Sequence, residues 1–173
     1  MATPLTILGI DPGSQATGFG VVQMEGQQIR YVASGCVRTR GETFNDRLRE
    51  IFQQMGKVFA EYAPDEVAIE RVFMHRNADS ALKLGHARAA ALCSGFGHEL
   101  PIHEYAAREI KQTLTGTGGA DKNQVQTMVK RLLGIEGRLQ SDAGDALAVA
   151  ICHGHMRTMR NLTGSAAGAG RRR

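Results

Sequence analysis

The sequence contains no run of roughly 18 consecutive apolar residues, the length that a membrane-spanning helix requires, so we expect no membrane partner. The opening segment MATPLT has neither the charged region nor the apolar region of a secretory signal. Both absences predict a soluble, cytoplasmic protein. No internal repeat is visible, and 173 residues are enough for one hydrophobic core of ordinary size but short for two.

Cysteine is scarce and widely spaced: Cys36, Cys93 and Cys152 form no Cys-x-x-Cys pair. An odd number at this spacing argues against a disulfide framework and predicts reduced thiols that serve as small core side chains. Cys152, His153 and His155 could suggest zinc. They fall on one predicted helix with no companion motif to supply a fourth ligand, and a packed helix face is the better interpretation.

The positive charge is concentrated at one end of the chain. The formal net charge is +4, and Arg171, Arg172 and Arg173 account for three of those charges, so the total says little about nucleic acid binding. Residues 71–131 contain nine lysines and arginines but only five acids. This excess fits a locally basic face, and it fits an ordinary solvated surface of mixed charge equally well.

The order of apolar patterns predicts an α/β fold with a mixed five-stranded sheet. Three strand-like runs come first, joined by short turns that favour antiparallel neighbours, and strands then alternate with helices. The predicted domain is residues 1–158, followed by a disordered Gly/Ala-rich basic tail, 159–173. The predicted strands are 5–10, 17–24, 29–37, 65–70 and 101–106; the predicted helices are 43–62, 78–97, 106–114, 122–133 and one that begins at residue 141.

Four acids stand at the ends of predicted elements. Asp11 ends the first apolar run, Glu70 ends the fourth strand, and Asp142 and Asp145 share one face at the start of the final helix. If the first and fourth strands are neighbours and the helix docks at their ends, the four carboxylates converge. A cluster of this kind must raise its pKa values or bind cations. Oxygen ligands alone suit Mg²⁺ or Mn²⁺, and two such ions about 3.5 to 4 Å apart would support phosphodiester cleavage.

Each acid also has an ordinary structural interpretation when it is taken alone. Asp11 precedes Pro-Gly, which is good turn chemistry, and Glu70 could be an exposed residue at a strand end. Acids such as Asp142 and Asp145 are favourable near a helix N-terminus, where Ser141 or Asp142 could be the cap. Only the occurrence of all four acids together favours a metal-binding site over these structural interpretations.

Four segments together carry a family resemblance: GIDPGSQATGFGVV, AIERVFMHRNADSALKLGHARAAA, EYAAREIKQTLTGTGGADKNQVQ and SDAGDALAVAICH. From residue 7 to about residue 158, the sequence resembles the RuvC-type Holliday-junction resolvases of the ribonuclease H-like superfamily. A bare I-D-x-G would also fit sugar kinases and actin-like ATPases. The second segment is the most specific of the four.

The resemblance implies a metal-dependent endonuclease for recombination and repair. Such an enzyme recognises four-way DNA junctions and nicks two opposing strands, leaving ligatable ends with 5′-phosphates. The catalytic and metal-binding acids of the family match Asp11, Glu70, Asp142 and Asp145, with two Mg²⁺ per subunit expected and Mn²⁺ able to substitute.

Basic and aromatic residues of the family also have counterparts. Lys111 matches a residue implicated in catalysis and DNA binding, and Lys122 matches one implicated in DNA binding. Phe73 corresponds to the aromatic residue inserted at the junction centre, and Arg71 and Arg76 beside it make a DNA contact physically reasonable, with Arg76 as a DNA-binding candidate. Alternatively, Phe73 packs into the core and the lysines are ordinary solvated surface.

Two symmetric nicks are most simply made by a two-fold homodimer with one active site per subunit. The small side chains within residues 78–97 permit close helix approach, and the resemblance makes this helix the predicted interface. The resemblance also implies a branch-migration partner of the RuvA and RuvB type.

Two other functions are kept as alternatives. An actin-like phosphotransferase or ATPase is suggested by GIDPGSQATG, but that class closes two such domains around its nucleotide and this chain supplies one. A non-cleaving relative that binds junctions or RNA should have lost one of the four acids, and all four are present.

Overall fold

The computed structural model describes residues 3–72 and 77–169, with side chains as far as residue 161. Phe73 and Arg76, predicted above to contact DNA, lie outside the described residues. The strands are β1 (Leu5–Asp11), β2 (Ala16–Glu25), β3 (Gln28–Arg38), β4 (Glu66–Glu70) and β5 (Ile102–Tyr105). The helices are α1 (Phe44–Tyr62), α2 (Ala78–Cys93), α3 (Ala107–Thr115), α4 (Lys122–Leu133) and α5 (Ser141–Ala169), with a short 3₁₀ turn at Phe96–His98.

In the described part of the chain, one sheet has the strand order β3-β2-β1-β4-β5. The first three strands pair antiparallel, because only short turns separate them. β4 pairs parallel with β1, and β5 parallel with β4, because α1 and α2 supply the crossovers that parallel strands need. The predicted mixed sheet and the predicted pairing of the first and fourth strands are both confirmed.

Alternating side chains along each strand divide the core into two layers. Leu8 and Ile10 of β1 pack with α1 and α2 on one face of the sheet. Ile7 and, in β4, Ala68 pack with α3, α4 and α5 on the other face. Because the strand period is two residues, Asp11 and Glu70 belong to the α5 side of the sheet.

Glycines let α5 approach the backbone of β1 and β2 directly. A Cβ atom at Gly9 would lie 2.1 Å from the carbonyl oxygen of Ala146, and one at Gly18 would lie 2.0 Å from that of Asp142. A Cβ at Gly20 would meet the Leu147 side chain at 2.7 Å. No side chain fits at these distances, so the glycines set how closely α5 seats on the sheet.

The backbone of α5 is helical to Ala169. The division into one domain and a tail stays a prediction. Of the cysteines, Cys152 is buried as predicted, but Cys36 is half-buried and Cys93 is exposed, so neither is plain core filler.

No helix among the described residues has the length and apolar character needed to span a bilayer.

Candidate active site

Three of the four predicted acids meet where β1 ends against the first turn of α5. Carboxylate oxygens of Asp11, Asp142 and Asp145 all lie within 4.8 Å of one another. Glu70 lies at the end of the neighbouring β4, and with Asp145 it lines a cavity of about 300 Å³. The structure therefore brings all four acids to one edge of the sheet, as the sequence predicts, with Glu70 beside the tighter group of three.

Burial and mutual repulsion make the cluster costly to ionise. Burial, followed by the charges of Asp145, Glu70 and Asp142, raises the pKa of Asp11 to about 7, and Lys122 opposes the rise. Burial and then the Asp145 charge also raise the pKa of Glu70. Closely spaced oxygen donors with no nitrogen or sulfur among them match the preference of a hard divalent cation, so these residues fit a bound divalent metal ion.

Both oxygens of Asp145 are held by side chains of α4. The Nζ atom of Lys122 lies 2.7 Å from Oδ2, and this hydrogen bond is the main cause that raises the pKa of Lys122. The Nε2 atom of Gln126 donates to Oδ1 of Asp145 at 3.2 Å and to the Ser141 carbonyl at 3.0 Å. The N-cap Asp121 accepts from the backbone N–H of Gln124 at 2.9 Å, which fixes the start of the helix that carries both groups.

The second predicted lysine, Lys111, stands on α3 at the other side of the same cavity. It lines the cavity with Glu70, Lys122 and Asp145, and its charge counteracts the rise in the pKa of Glu70. Both predicted lysines therefore lie at the acid cluster. Their catalytic and DNA-binding roles stay predictions.

Three contributors at the site were missed from the sequence. Cys36 donates its thiol to Oδ2 of Asp142 at 3.6 Å, and burial followed by the Asp142 charge raises its pKa. Thr17 is fully buried and donates to the Gly13 carbonyl at 2.9 Å, which holds the turn that follows Asp11. Gln126 is the third, described above. Cys36 is the register partner of Gly18 across β2 and β3, and this pairing is the only feature that could have indicated that the thiol lies at the site. The sequence alone does not give that register.

A second titratable group lies at the opposite end of β4, away from the acids. Glu66 contacts Nε2 of the fully buried His153, whose Nδ1 lies 2.6 Å from the Tyr105 hydroxyl. The rings of His103 and His153 stack with centroids 4.3 Å apart, and Arg157 pairs with Glu66. Ligand atoms of Glu66, His103 and His153 lie within 4.8 Å of one another, and the side chains are joined by the hydrogen bonds and ring stacking just described. Cys152 and His153 are buried and His155 is half-buried, which agrees with the packed helix face predicted for them.

The mixed sheet with convergent carboxylates at the ends of two parallel strands defines a ribonuclease H-like α/β protein with a divalent-metal site. The model of the family described as "Crossover junction endodeoxyribonuclease RuvC" matches residues 7–153. A crossover junction endodeoxyribonuclease RuvC from Methylococcus capsulatus is 56% identical over 151 residues, which cover 87% of this chain and 91% of the relative. The chain belongs to the RuvC family.

Solved structures agree with this placement. T. thermophilus RuvC in complex with a Holliday junction substrate superposes with a TM-score of 0.83 at 33% identity, covering 90% of this chain and 96% of that one. The yeast mitochondrial Holliday junction resolvase Ydc2, at 9% identity, has a TM-score of 0.63 over 90% of this chain and 83% of its own, which shows a shared fold. The ribonuclease H-like architecture expected from the sequence is confirmed.

Proposed function

We propose that this protein is a structure-selective endodeoxyribonuclease that resolves Holliday junctions by paired nicks in opposing strands and leaves 5′-phosphate ends for ligation in recombination and repair. The observation that carries the proposal is the convergence of Asp11, Asp142 and Asp145, with Glu70 beside them, in a chain of the RuvC family. The junction-bound relative supports four-way DNA as the substrate.

The acids would hold Mg²⁺, two ions per subunit, with Mn²⁺ able to substitute. When bound, the ions would supply an activated water and stabilise the leaving oxygen. Asp11 would be shared between them, a role supported by its carboxylate lying within 4.8 Å of Asp142 and Asp145 and by the effect of the Glu70 charge on its pKa. Glu70 and Asp145 would complete the coordination, and Asp142 would help to orient the water.

Lys111 and Lys122 supply positive charge at the rim of the cluster. Because their side chains line the cavity between Glu70 and Asp145, each is placed to neutralise a phosphate beside the cleaved bond. Phe73 and Arg76, on the segment that follows β4, are proposed to contact the junction centre.

A two-fold homodimer is proposed, with α2 at the interface. This helix is rich in small residues and carries Leu82, whose side chain is 64% exposed. An exposed apolar side chain on a helix of this kind fits a second copy of the same chain. A cytoplasmic location and a partner of the RuvA and RuvB type are proposed from the family resemblance alone.

Asp11→Asn tests the proposed activity on a mobile four-way junction beside a matched linear duplex, with Mg²⁺ or EDTA. Wild type should make paired, metal-dependent nicks in the junction and leave the duplex intact. The variant should lose cleavage and keep junction binding, because it removes a metal ligand and lessens repulsion from phosphate. Glu25→Gln is the control, since Glu25 is exposed at the far end of β2 from the acids and forms a surface ion pair with Arg30.

The alternatives predict other outcomes of the same assay. Tight junction binding by wild type without any cutting would indicate a non-cleaving binding protein. The actin-like phosphotransferase is not favoured by the family match, and ATP turnover lost in Asp11→Asn would be needed to restore it.

A further inference from the structure

An open groove of about 600 Å³ leads away from the acid cluster between β3, α4 and the loop before α5. It shares Lys122 and Asp142 with the cluster, so the groove and the carboxylates form one continuous surface. Arg38 at the end of β3 stands on one side. Lys130 on α4 and Arg138 on the loop also line it.

The charge of this groove is strongly one-sided. Among its described lining residues there are four cationic side chains, and Asp142 at the cluster end is the one carboxylate. The adjoining groove beyond Arg38 is different, because Glu50 and Glu61 accompany its basic residues. Of these two adjoining grooves, the one that opens on the acids therefore has the larger excess of cationic side chains, although Lys122 is paired with Asp145.

Two of these cations are available to a ligand. Arg38 and Arg138 are exposed, and neither makes an ion pair within the described parts of the chain. Lys130 instead donates to the Gly137 carbonyl, and Gly134 and Gly137 take φ values of +63° and +80°. Lys130 thus holds in place the loop that presents Arg138, and the two arginines are the groups to test.

We infer that this groove binds the sugar-phosphate backbone of the cleaved DNA strand next to the scissile phosphate, with Arg38 and Arg138 contacting successive phosphates. Planar guanidinium groups suit bidentate contact with phosphate oxygens. The inference rests on the proposed nuclease function and extends it by assigning a path to the strand on the α4 side of the acids. These are positioning residues, because they touch phosphates that do not react.

The first test measures junction binding against salt concentration in a cleavage-inactive Asp11→Asn background. Each of Arg38→Gln and Arg138→Gln should reduce the slope of log K against log salt by about 0.7 to 0.9, the loss expected for one phosphate contact. Arg131→Gln is the matched control: it removes the same charge from an exposed position on α4 beside Lys130 but outside the groove lining. An unchanged slope in both groove variants would overturn the inference.

The second test locates the contact with junctions that carry one neutral methylphosphonate near the cut. A methylphosphonate at the contacted phosphate should weaken junction binding by the Asp11→Asn protein. It should weaken binding no further when Arg138→Gln is also present, but it should weaken binding by the full amount when Arg131→Gln is present instead. Fully additive losses at every phosphate would overturn the assignment.

Wild-type cleavage run in parallel separates the two ideas. If wild type cuts the junction but the groove variants bind like the control, the groove inference fails and the nuclease function stands. If wild type neither binds nor cuts, both fail.

Discussion

Asp11 has a carboxyl group whose pKa departs far from its ordinary value: burial is the main cause that raises it from 3.8 to about 7. A folded acid with a raised pKa binds a proton that the unfolded chain has already released between its ordinary pKa of 3.8 and about 7. The free energy of unfolding of the metal-free protein therefore falls as pH rises through that interval. Divalent metal ions should reverse this loss by compensating the charge.

Asp11→Asn should stabilise the metal-free protein at pH 8 by about 2 kcal/mol, because the uncharged amide removes the cost of ionisation. At pH 5 the gain should be clearly smaller, because the folded carboxyl is then protonated while the unfolded one is still mostly ionised; it should vanish only near pH 3.8. Urea unfolding in EDTA at the two pH values measures the difference. If Asp11→Asn stabilised the protein equally at pH 8 and pH 5, ionisation within the acid cluster would not be the cause of the stabilisation.

Gln126 is the residue that holds Oδ1 of Asp145 in place. Gln126→Met keeps the length of the side chain and removes the donor, so Mn²⁺ affinity should fall about tenfold with little change in thermal stability. Isothermal titration calorimetry measures the affinity. Gln112→Met is the control, because the exposed Gln112 also donates to a carbonyl, that of Gly116, but stands away from the acids. Equal affinity in wild type and Gln126→Met would contradict a positioning role.

Among the elements, α5 carries two of the acids and six of the sixteen buried residues of one core layer. Its close packing on β1 and β2 depends on glycines in those strands. The tightest approach is at Gly18, where an added Cβ would lie 2.0 Å from the Asp142 carbonyl oxygen. A shift of the helix to make room for one methyl group would move Asp142 and Asp145 together. The position of the site and the packing of the core are therefore set by the same contact.

Gly18→Ala should lower the free energy of unfolding by about 3 kcal/mol and reduce cleavage in the fraction that remains folded, because its Cβ would clash with rigid backbone. Gly56→Ala on α1 is the matched control. A Cβ there meets only Ser94, at 4.0 Å, and alanine should raise stability by about 1 kcal/mol through its helix propensity. Chemical denaturation with a single-turnover assay measures both quantities. Wild-type cleavage by folded Gly18→Ala would show that α5 can shift without cost to the site.

The elements themselves were largely predictable, because their apolar periodicity is local. Strands and helices follow from runs such as residues 43–62, and the short turns and crossovers fix which pairs are parallel. The contact of Cys36 with Asp142 depends on strand register and on contact between residues 106 positions apart, which no local pattern encodes.

Across the whole molecule, Glu66, His153 and Tyr105 join β4, α5 and β5 on the α5 face of the sheet, from the start of β4 to the end of β5. Arg157 pairs with Glu66, and Arg160 donates to the Tyr105 hydroxyl. The sequence predicts only that His153 lies on a packed helix face; it gives no sign of the network, because the partners are distant along the chain. Burial lowers the pKa of His103, His153 and His155, which favours their neutral form in the folded protein.

Glu66→Gln should lower the free energy of unfolding by about 3 kcal/mol, because it leaves Arg157 and the buried His153 without their charged partner. Urea denaturation at pH 7.5 measures the loss. Glu25→Gln is the control, since Glu25 pairs with Arg30 on the surface and should change stability by less than about 1 kcal/mol. Similar losses in the two variants would contradict a structural role for the network.

The lowered histidine pKa values also determine how the stability of the protein changes as pH falls. Because the three histidines have lowered pKa values in the folded state, the unfolded chain binds more protons once pH falls below its ordinary histidine pKa of 6.5. In the Asp11→Asn background, stability should therefore be complete above pH 6.5 and decline as pH falls through the folded pKa values. Unfolding free energies measured from pH 8 to pH 5 test this. A flat profile would show that the histidines titrate alike in both states.

The direct seating of α5 on Gly9, Gly18 and Gly20 has a consequence for how this protein can change over generations. A substitution at any of these glycines acts on the active site and on the core at once, so selection for a folded chain also preserves the spacing of the acids. Exposed positions outside the proposed interface and DNA-binding loops are freer to vary, while the spacing of the acids is inherited as a property of the fold.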